Sequence, residues 1–228
     1  MSRQILVKLV SDDYHFQVQT TKTQSEHVIA EMVLQLGRAA CCENSAGLNA
    51  AQWSALRYFS RANRFSRTVS AFAAFHHTTK GTASQTVKSL VSRGLLTRTP
   101  SQRDGRSATV ALTEAGRAFL RQDPFEALVD AVARLTRRQR GDMAEALGSM
   151  LEDLACGRGK RRFGRCTGCS FLCYADDRER RPPFACGLAG EFLQSEETRQ
   201  ICVNFHPQRP DDAPEFFHAE GEHIEAQP

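Results

Sequence analysis

The chain has 228 residues, of which 41% are hydrophobic and 25% are charged, and its formal net charge is +4. These proportions are ordinary for a soluble globular protein. No apolar run approaches the roughly 18 residues of a membrane-spanning helix, and we recognise no secretory signal, so we expect a cytoplasmic protein. The length favours one domain with an appendage, or two small domains.

Helical periodicity begins at Thr23, after residues 1–22, which we interpret as an N-terminal arm without a recognisable motif. The apolar face of this first helix is too wide for a lone surface helix, so the helix is expected to pack against a partner. A second helix is predicted after Asn49, whose side chain suits an N-cap, and a third from Thr68. The apolar residues of the first helix are Val28, Ile29, Met32, Val33, Leu36 and Ala40.

The stretch from Thr79 to Thr113 is predicted to form a short helix followed directly by a two-stranded hairpin. Gly94 would end the helix, and Asp104-Gly105 is the pair that a tight hairpin turn prefers. Helical spacing turns one stripe inward, made of Ala83, Val87, Leu90 and Val91. The opposite face is polar and contains no carboxylate; it consists of Thr82, Ser84, Gln85, Lys88 and Ser89.

Basic residues are concentrated in the same part of the chain. Between Asn49 and Leu112 the only acidic residue is Asp104, which predicts a polyanion-binding surface, although a merely solvated basic face would have the same composition. The ten basic residues are Arg57, Arg61, Arg64, Arg67, Lys80, Lys88, Arg93, Arg98, Arg103 and Arg106.

Beyond Leu112 the pattern is helical with one interruption at Asp123-Pro124, because a proline clashes with the preceding helical turn. The last helix has an apolar stripe that a winged helix alone cannot cover. We therefore expect it to form a two-fold dimer interface together with the first helix. The stripe comprises Met143, Leu147, Met150, Leu151 and Leu154.

Residues 23–156 resemble a MarR-type transcriptional regulator. The similar segments are LNAAQWSAL, TASQTVKSLVSRGLL, and Asp104-Gly105-Arg106 followed by Val110, Leu112, Thr113 and Gly116. This resemblance implies a mainly α fold with a small β-hairpin wing, and a winged helix-turn-helix homodimer that binds a palindromic double-stranded DNA operator. It also implies that Arg106, with Arg103, reaches the minor groove.

The chemistry of the helix before the wing is consistent with this reading. Gln85 can form two hydrogen bonds with an adenine edge, and Lys88 can reach a guanine or a phosphate. Thr82 and Ser84 lie where a helix N-terminus meets phosphate. We therefore predict DNA contacts from Thr82, Ser84, Gln85, Lys88, Arg103 and Arg106.

Residues 157–206 are rich in cysteine and are predicted to form a metal-binding appendage, followed by an acidic flexible tail at 207–228. Cysteines in a chain without a signal peptide indicate reduced thiols or metal ligands rather than disulfides. One close CxxC pair with two dispersed cysteines suits an iron-sulfur cubane, whereas structural zinc sites more often use two close pairs. The predicted ligands are Cys166, Cys169, Cys186 and Cys202.

The same segment weakly resembles a high-potential iron-sulfur protein, on the CxxC pair, Phe171, Cys186 with Leu188 and Gly190, and Phe205. The chain lacks the tryptophan that those proteins usually have beside the last cysteine. Cys173 is an additional cysteine, and His206 is an alternative ligand. Cys173 or His206 could therefore replace one of the four predicted ligands.

These patterns predict a regulator that senses redox state or iron through a cluster, of [4Fe-4S] type, which alters DNA binding. No nucleophile elbow, glycine-rich phosphate loop or HExxH sequence indicates an enzyme. Two alternatives remain. One is a zinc-stapled regulator controlled by a small aromatic ligand, and the other is an electron carrier or metal-binding protein.

Overall fold

The computed structural model describes residues 24–40, 47–100, 108–156, 162–175, 183–208 and 215–217. The predicted N-terminal arm and most of the acidic tail lie outside these ranges.

The chain divides into two compact units, residues 1–39 and residues 40–228. In the first unit, helix α1 spans Gln24–Ala39, as the periodicity predicts. Its apolar side chains are exposed, including Ile29, Met32 and Leu34.

The second unit begins with helices α2 (Ala50–Arg61), α3 (Val69–Phe75) and α4 (Lys80–Ser92). Strands β1 (Leu96–Pro100) and β2 (Ala108–Leu112) follow, and then helix α5 (Glu114–Leu120). This order of helices and hairpin is that of a winged helix, as the sequence predicts.

A capping side chain marks the start of each of these helices. Asn49 forms a capping box with Gln52 at α2, each side chain binding the backbone N–H of the other residue. The hydroxyl oxygens of Thr68, Thr79 and Thr113 accept hydrogen bonds from backbone N–H groups in the first turns of α3, α4 and α5. Such caps satisfy donors that have no partner inside the helix.

The core of the second unit lies between α2, α3, α4 and the hairpin. Tyr58 is central: its ring contacts Phe59, Phe72 and Phe75, and its hydroxyl donates a 2.8 Å hydrogen bond to the carbonyl of Ser66. The largest fully buried apolar side chains here are Trp53, Tyr58, Phe59, Leu48, Leu56, Leu90, Leu96, Val87 and Val110.

The wing strands pair antiparallel, with Leu96 opposite Leu112 and Pro100 opposite Ala108. Gly94 precedes them at φ +69°, a left-handed conformation that favours glycine. The wing is also tied to the turn between α2 and α3, because the Val110 N–H donates a 2.8 Å hydrogen bond to the carbonyl of Arg67.

Two further helices follow the break at Asp123-Pro124: α6 spans Glu126–Ala133 and α7 spans Arg137–Cys156. The predicted interface stripe on α7 is partly exposed, with Leu151 and Leu154 more than half exposed. No described helix is both long and apolar enough to cross a membrane.

The cysteine segment contributes strands β3 (Leu172–Ala175), β4 (Phe184–Cys186) and β5 (Glu191–Leu193) to a small sheet. A fourth strand, β6 (Glu215–Phe217), belongs to the tail that was predicted to be flexible, and it pairs with β3. The strand order is β5-β4-β3-β6, with only β3 and β6 parallel. One-turn 3-10 helices at Cys166–Gly168 and Glu197–Arg199 flank the strands. This sheet lies in the same compact unit as the winged helix.

Candidate nucleic-acid interface and thiol cavity

Helix α4 exposes a polar face opposite its buried stripe. Ala83, Val87 and Leu90 are buried in the core, and Val91 is half-buried. The Thr82 N–H donates a 3.1 Å hydrogen bond to the Thr79 hydroxyl, which orders the first turn. All four side chains of this helix that were predicted to contact DNA are exposed: Thr82, Ser84, Gln85 and Lys88.

Ser89 differs from the prediction. We expected this side chain to face outward, but it is half-buried and its hydroxyl accepts a 3.0 Å hydrogen bond from the Gln52 amide. Gln52 also completes the cap of α2, so it holds α2 and α4 together. The exposed face of α4 is therefore narrower than the sequence indicated.

The ten basic residues between Asn49 and Leu112, which we call the basic block, are less available to bind a polyanion than the composition indicated. Six of these ten residues are exposed in the described part of the chain: Arg61, Arg64, Lys80, Lys88, Arg93 and Arg98. Two of these six, and two half-buried arginines, bind acceptors within the chain: Arg57 binds Asp123, Arg64 binds Glu191 and Glu197, Arg67 binds the carbonyl of Ala62, and Arg93 binds the carbonyl of Gly47. Part of the basic block therefore stabilises the fold.

The tip of the wing, residues 101–107, lies outside the described residues. Asp104-Gly105 and the minor-groove contacts of Arg103 and Arg106 thus stay predictions. Strand β1 ends directly before this segment and strand β2 begins directly after it. The Arg98 side chain on β1 is exposed.

The four predicted ligand cysteines line one cavity, together with residues from the winged helix. The cavity is small, with a volume of about 10 Å³. Cys166, Cys169 and Cys202 are buried, and Cys186 is half-buried. The remaining lining residues are Asn63, Phe65, Phe171, Leu172, Leu193 and Asn204.

The two alternative ligands do not line this cavity. Cys173 is buried on β3, and its Sγ lies 3.7 Å from the carbonyl oxygen of Phe171. The His206 ring packs edge-on against Phe171, and its backbone N–H donates to Cys169 Sγ at 3.5 Å. Among the described residues, no three or more histidine, cysteine, aspartate or glutamate side chains are arranged so that they could hold a single metal ion.

Burial and the closeness of the other thiols change the pKa values of the cavity cysteines. Burial, followed by the charges of the neighbouring Cys202, Cys169 and Cys186, raises the pKa of Cys166 to about 12. Burial also raises the pKa of Cys186, while backbone hydrogen bonds from Ala189 and Leu188 oppose that shift. The protein thus supplies N–H donors to the sulfurs of Cys169 and Cys186.

The cysteine segment is attached to the turn between α2 and α3. Ile201 forms a parallel bridge with Ala62, in which the Asn63 N–H donates to Ile201 O at 3.0 Å and the Ile201 N–H donates to Arg61 O at 2.7 Å. The Val203 N–H donates to Ser66 Oγ at 2.8 Å. No local pattern indicates this contact, because Asn63 and Phe65 lie far from the cysteines along the chain and in no recognised motif.

Residues 46–107 match the family model described as MarR family. Staphylococcus aureus MepR in its DNA-binding conformation aligns with a TM-score of 0.51 at 18% identity, covering 58% of this chain and 99% of that one. A MarR-family regulator from Silicibacter pomeroyi aligns with a TM-score of 0.48 at 23% identity, covering 57% and 89%. The MepR alignment shows that the chain has the winged-helix fold. Among curated proteins no sequence matches significantly.

Proposed function

We propose that the chain is a transcription regulator that binds a palindromic double-stranded DNA site as a homodimer and senses redox state or iron through a [4Fe-4S] cluster in its cysteine segment. The carboxylate-free exposed face of α4, within the region that matches the MarR family model, is the observation on which the DNA-binding part rests.

The side chains on this face suit a duplex. Gln85 and Lys88 lie opposite the buried stripe of α4, where they can reach base edges in the major groove. Thr82 and Ser84 are in the first turns, near the backbone N–H groups that attract phosphate. Exposed Lys80 and Arg98 would add phosphate contacts, which fix orientation without reading sequence.

Selection from a random duplex library with the full chain tests DNA binding. We expect a palindromic site to be enriched, with half-sites about one helical turn apart. On that site, Gln85→Ala should cost roughly 1–3 kcal/mol per half-site and relax base preference at one position. Lys88→Ala should lower the salt dependence by about one ion per protomer if it binds phosphate.

Arg138→Ala is the matched control, because it removes one positive charge from an exposed position on α7. It should leave the affinity nearly unchanged. Failure to enrich any sequence, or equal losses from Arg138→Ala and Lys88→Ala, would argue against α4 as the reading element.

Convergence of the four cysteines on one cavity supports the cluster part of the proposal. One close CxxC pair with two dispersed cysteines favours a cubane, in which each thiolate binds a different iron, over a single zinc ion, whose structural sites more often use two close pairs. Backbone N–H groups directed at Cys169 and Cys186 and the surrounding apolar residues are features that stabilise and tune such clusters.

Anaerobic reconstitution of the full chain with ferrous iron and sulfide tests the cluster. We expect a brown protein with four iron and four sulfide per chain. Serine substitution of Cys166, Cys169, Cys186 or Cys202 should abolish or destabilise the cluster, whereas Cys173→Ser should retain it. A colourless protein that binds one zinc per chain would contradict the proposal, as would retention of the cluster in all four variants.

Sensing requires two states with different DNA affinity. Affinity for the selected site should therefore differ between reduced, oxidised and cluster-free protein. Equal affinity in all three states would contradict sensing while leaving DNA binding intact.

A further inference from the structure

Asn63 belongs to the winged helix but lines the thiol cavity, and its side chain is fully buried. Its Nδ2 has no hydrogen-bond partner among the described residues. We propose that the Asn63 amide donates a hydrogen bond to a sulfur of the cluster, so that the winged helix itself completes the cluster site and reports its state. This inference rests on the cluster proposed above.

The orientation of the amide is fixed by a chain of hydrogen bonds. The Val203 N–H donates to Ser66 Oγ at 2.8 Å. Ser66 Oγ in turn donates to Asn63 Oδ1 at 2.8 Å, because the Asn63 oxygen can only accept. With Oδ1 held by Ser66, the NH₂ group is the part of the amide left to face the cavity.

Burying an amide donor without a partner is unfavourable, and an acceptor in the cavity would remove that cost. The cavity is otherwise lined by thiols and by mainly apolar side chains. Thiolate and sulfide sulfurs of a cluster are negatively charged acceptors, and hydrogen bonds to them shift the reduction potential. An N–H donor stabilises the more negative, reduced cluster and therefore raises that potential.

The turn between α2 and α3, which contains Asn63, is also hydrogen-bonded to the wing. Arg67 Nε donates to the carbonyl of Ala62 at 3.0 Å, and the Arg67 carbonyl accepts from the Val110 N–H of the wing. Arg64 holds the other side of the cysteine segment through Glu191 and Glu197. Loss of the cluster would leave the Asn63 amide without its acceptor. The resulting change in the conformation of residues 62–67 would then reach the wing through the hydrogen bond between Arg67 and Val110.

Asn63→Asp is the most specific variant, because it keeps the oxygen that Ser66 binds and replaces the donor with a second acceptor. Asn204→Asp is the matched control, since Asn204 also lines the cavity and the change in charge is the same. We expect Asn63→Asp to bind the cluster with a midpoint potential more negative than that of both the wild type and Asn204→Asp. Its DNA affinity should also depend less on the cluster state.

Isotope labelling tests the same bond without any substitution. In the reduced wild-type chain labelled with ¹⁵N in asparagine side chains, pulsed EPR should detect a nitrogen coupled to the cluster, and Asn63→Leu should abolish the coupling. If the wild type showed no nitrogen coupling, or if Asn63→Asp and Asn204→Asp had equal midpoint potentials, the hydrogen bond from Asn63 would be contradicted while the cluster proposal would stand. A wild-type chain that binds no cluster would overturn the cluster proposal as well.

Discussion

Arg57 Nη1 lies 2.7 Å from Asp123 Oδ1, and the two side chains are only 13% and 3% exposed. The same carboxylate oxygen accepts a 3.0 Å hydrogen bond from the Phe125 N–H, and the guanidinium stacks over the Phe125 ring at 4.9 Å. Asp123 therefore joins α2 to the turn between α5 and α6.

Removing one partner of this buried ion pair should strongly destabilise the protein. In Asp123→Asn, Arg57 keeps its charge but loses its counter-ion, so the free energy of unfolding should fall by about 3–5 kcal/mol. Urea denaturation followed by circular dichroism measures the loss. As a control, Glu114→Gln breaks the exposed pair with Arg117 and should cost about 0–1 kcal/mol. Equal losses would contradict the importance of burial for the first pair.

Gly116 in α5 packs directly on the backbone at the start of the wing. A Cβ at this position would lie 2.1 Å from the carbonyl oxygen of Leu95, which is backbone and cannot move aside like a flexible side chain. Gly116→Ala should therefore destabilise the fold by roughly 1–3 kcal/mol. Gly141→Ala on α7, where a Cβ would meet no neighbouring atom, should instead stabilise it by about 0.5–1 kcal/mol. Thermal unfolding of the two variants should shift in opposite directions.

His76 makes the stability of the fold depend on pH. Burial, followed by the nearby charges of Arg57 and His77, lowers the pKa of His76 to about 4. As pH falls from about 6.5 to about 4, the unfolded chain binds a proton at this position and the folded chain does not, so stability is lost. With allowance for its partial exposure, the loss should be on the order of 1–2 kcal/mol.

His76→Phe is the comparison for this effect, because an aromatic ring keeps the contacts with Phe72 and Phe75 but does not titrate. Denaturant unfolding of both proteins between pH 7 and pH 4 should give a steeper loss for the wild type. Parallel curves would contradict the role of His76, since all other titrating groups are common to the two proteins.

Local sequence signals predicted the helices and wing well, because capping residues such as Asn49, Thr79 and Thr113 act within a few residues of their own position. The sequence also predicted which residues face outward on α4, except for Ser89, which is held by a glutamine of another helix. Contacts between distant segments left no local pattern. Composition alone could not show that Arg57 binds Asp123, nor that Asn63 lines the cavity with the four cysteines.

Helix α7 exposes a stripe of large apolar side chains, which is unfavourable in water unless a partner covers it. Leu151 is 66% exposed and Leu154 is 54% exposed, and Met150 lies beside them. If these side chains form the proposed two-fold interface, Leu151→Glu should place like charges against the partner and yield a monomer. Because Leu151 is exposed in the single chain, the helical content should be unchanged. Light scattering after gel filtration and affinity for the selected palindrome provide the measurements.

Ser149→Glu is the matched control, since Ser149 is exposed on the side of α7 opposite Leu151. It should remain dimeric and bind the palindrome as the wild type does, whereas Leu151→Glu should bind only as tightly as a single half-site allows. The comparison separates loss of the partner from mere addition of negative charge near DNA. A dimeric Leu151→Glu, or a monomeric wild type with full affinity for the palindrome, would show that α7 does not form the interface.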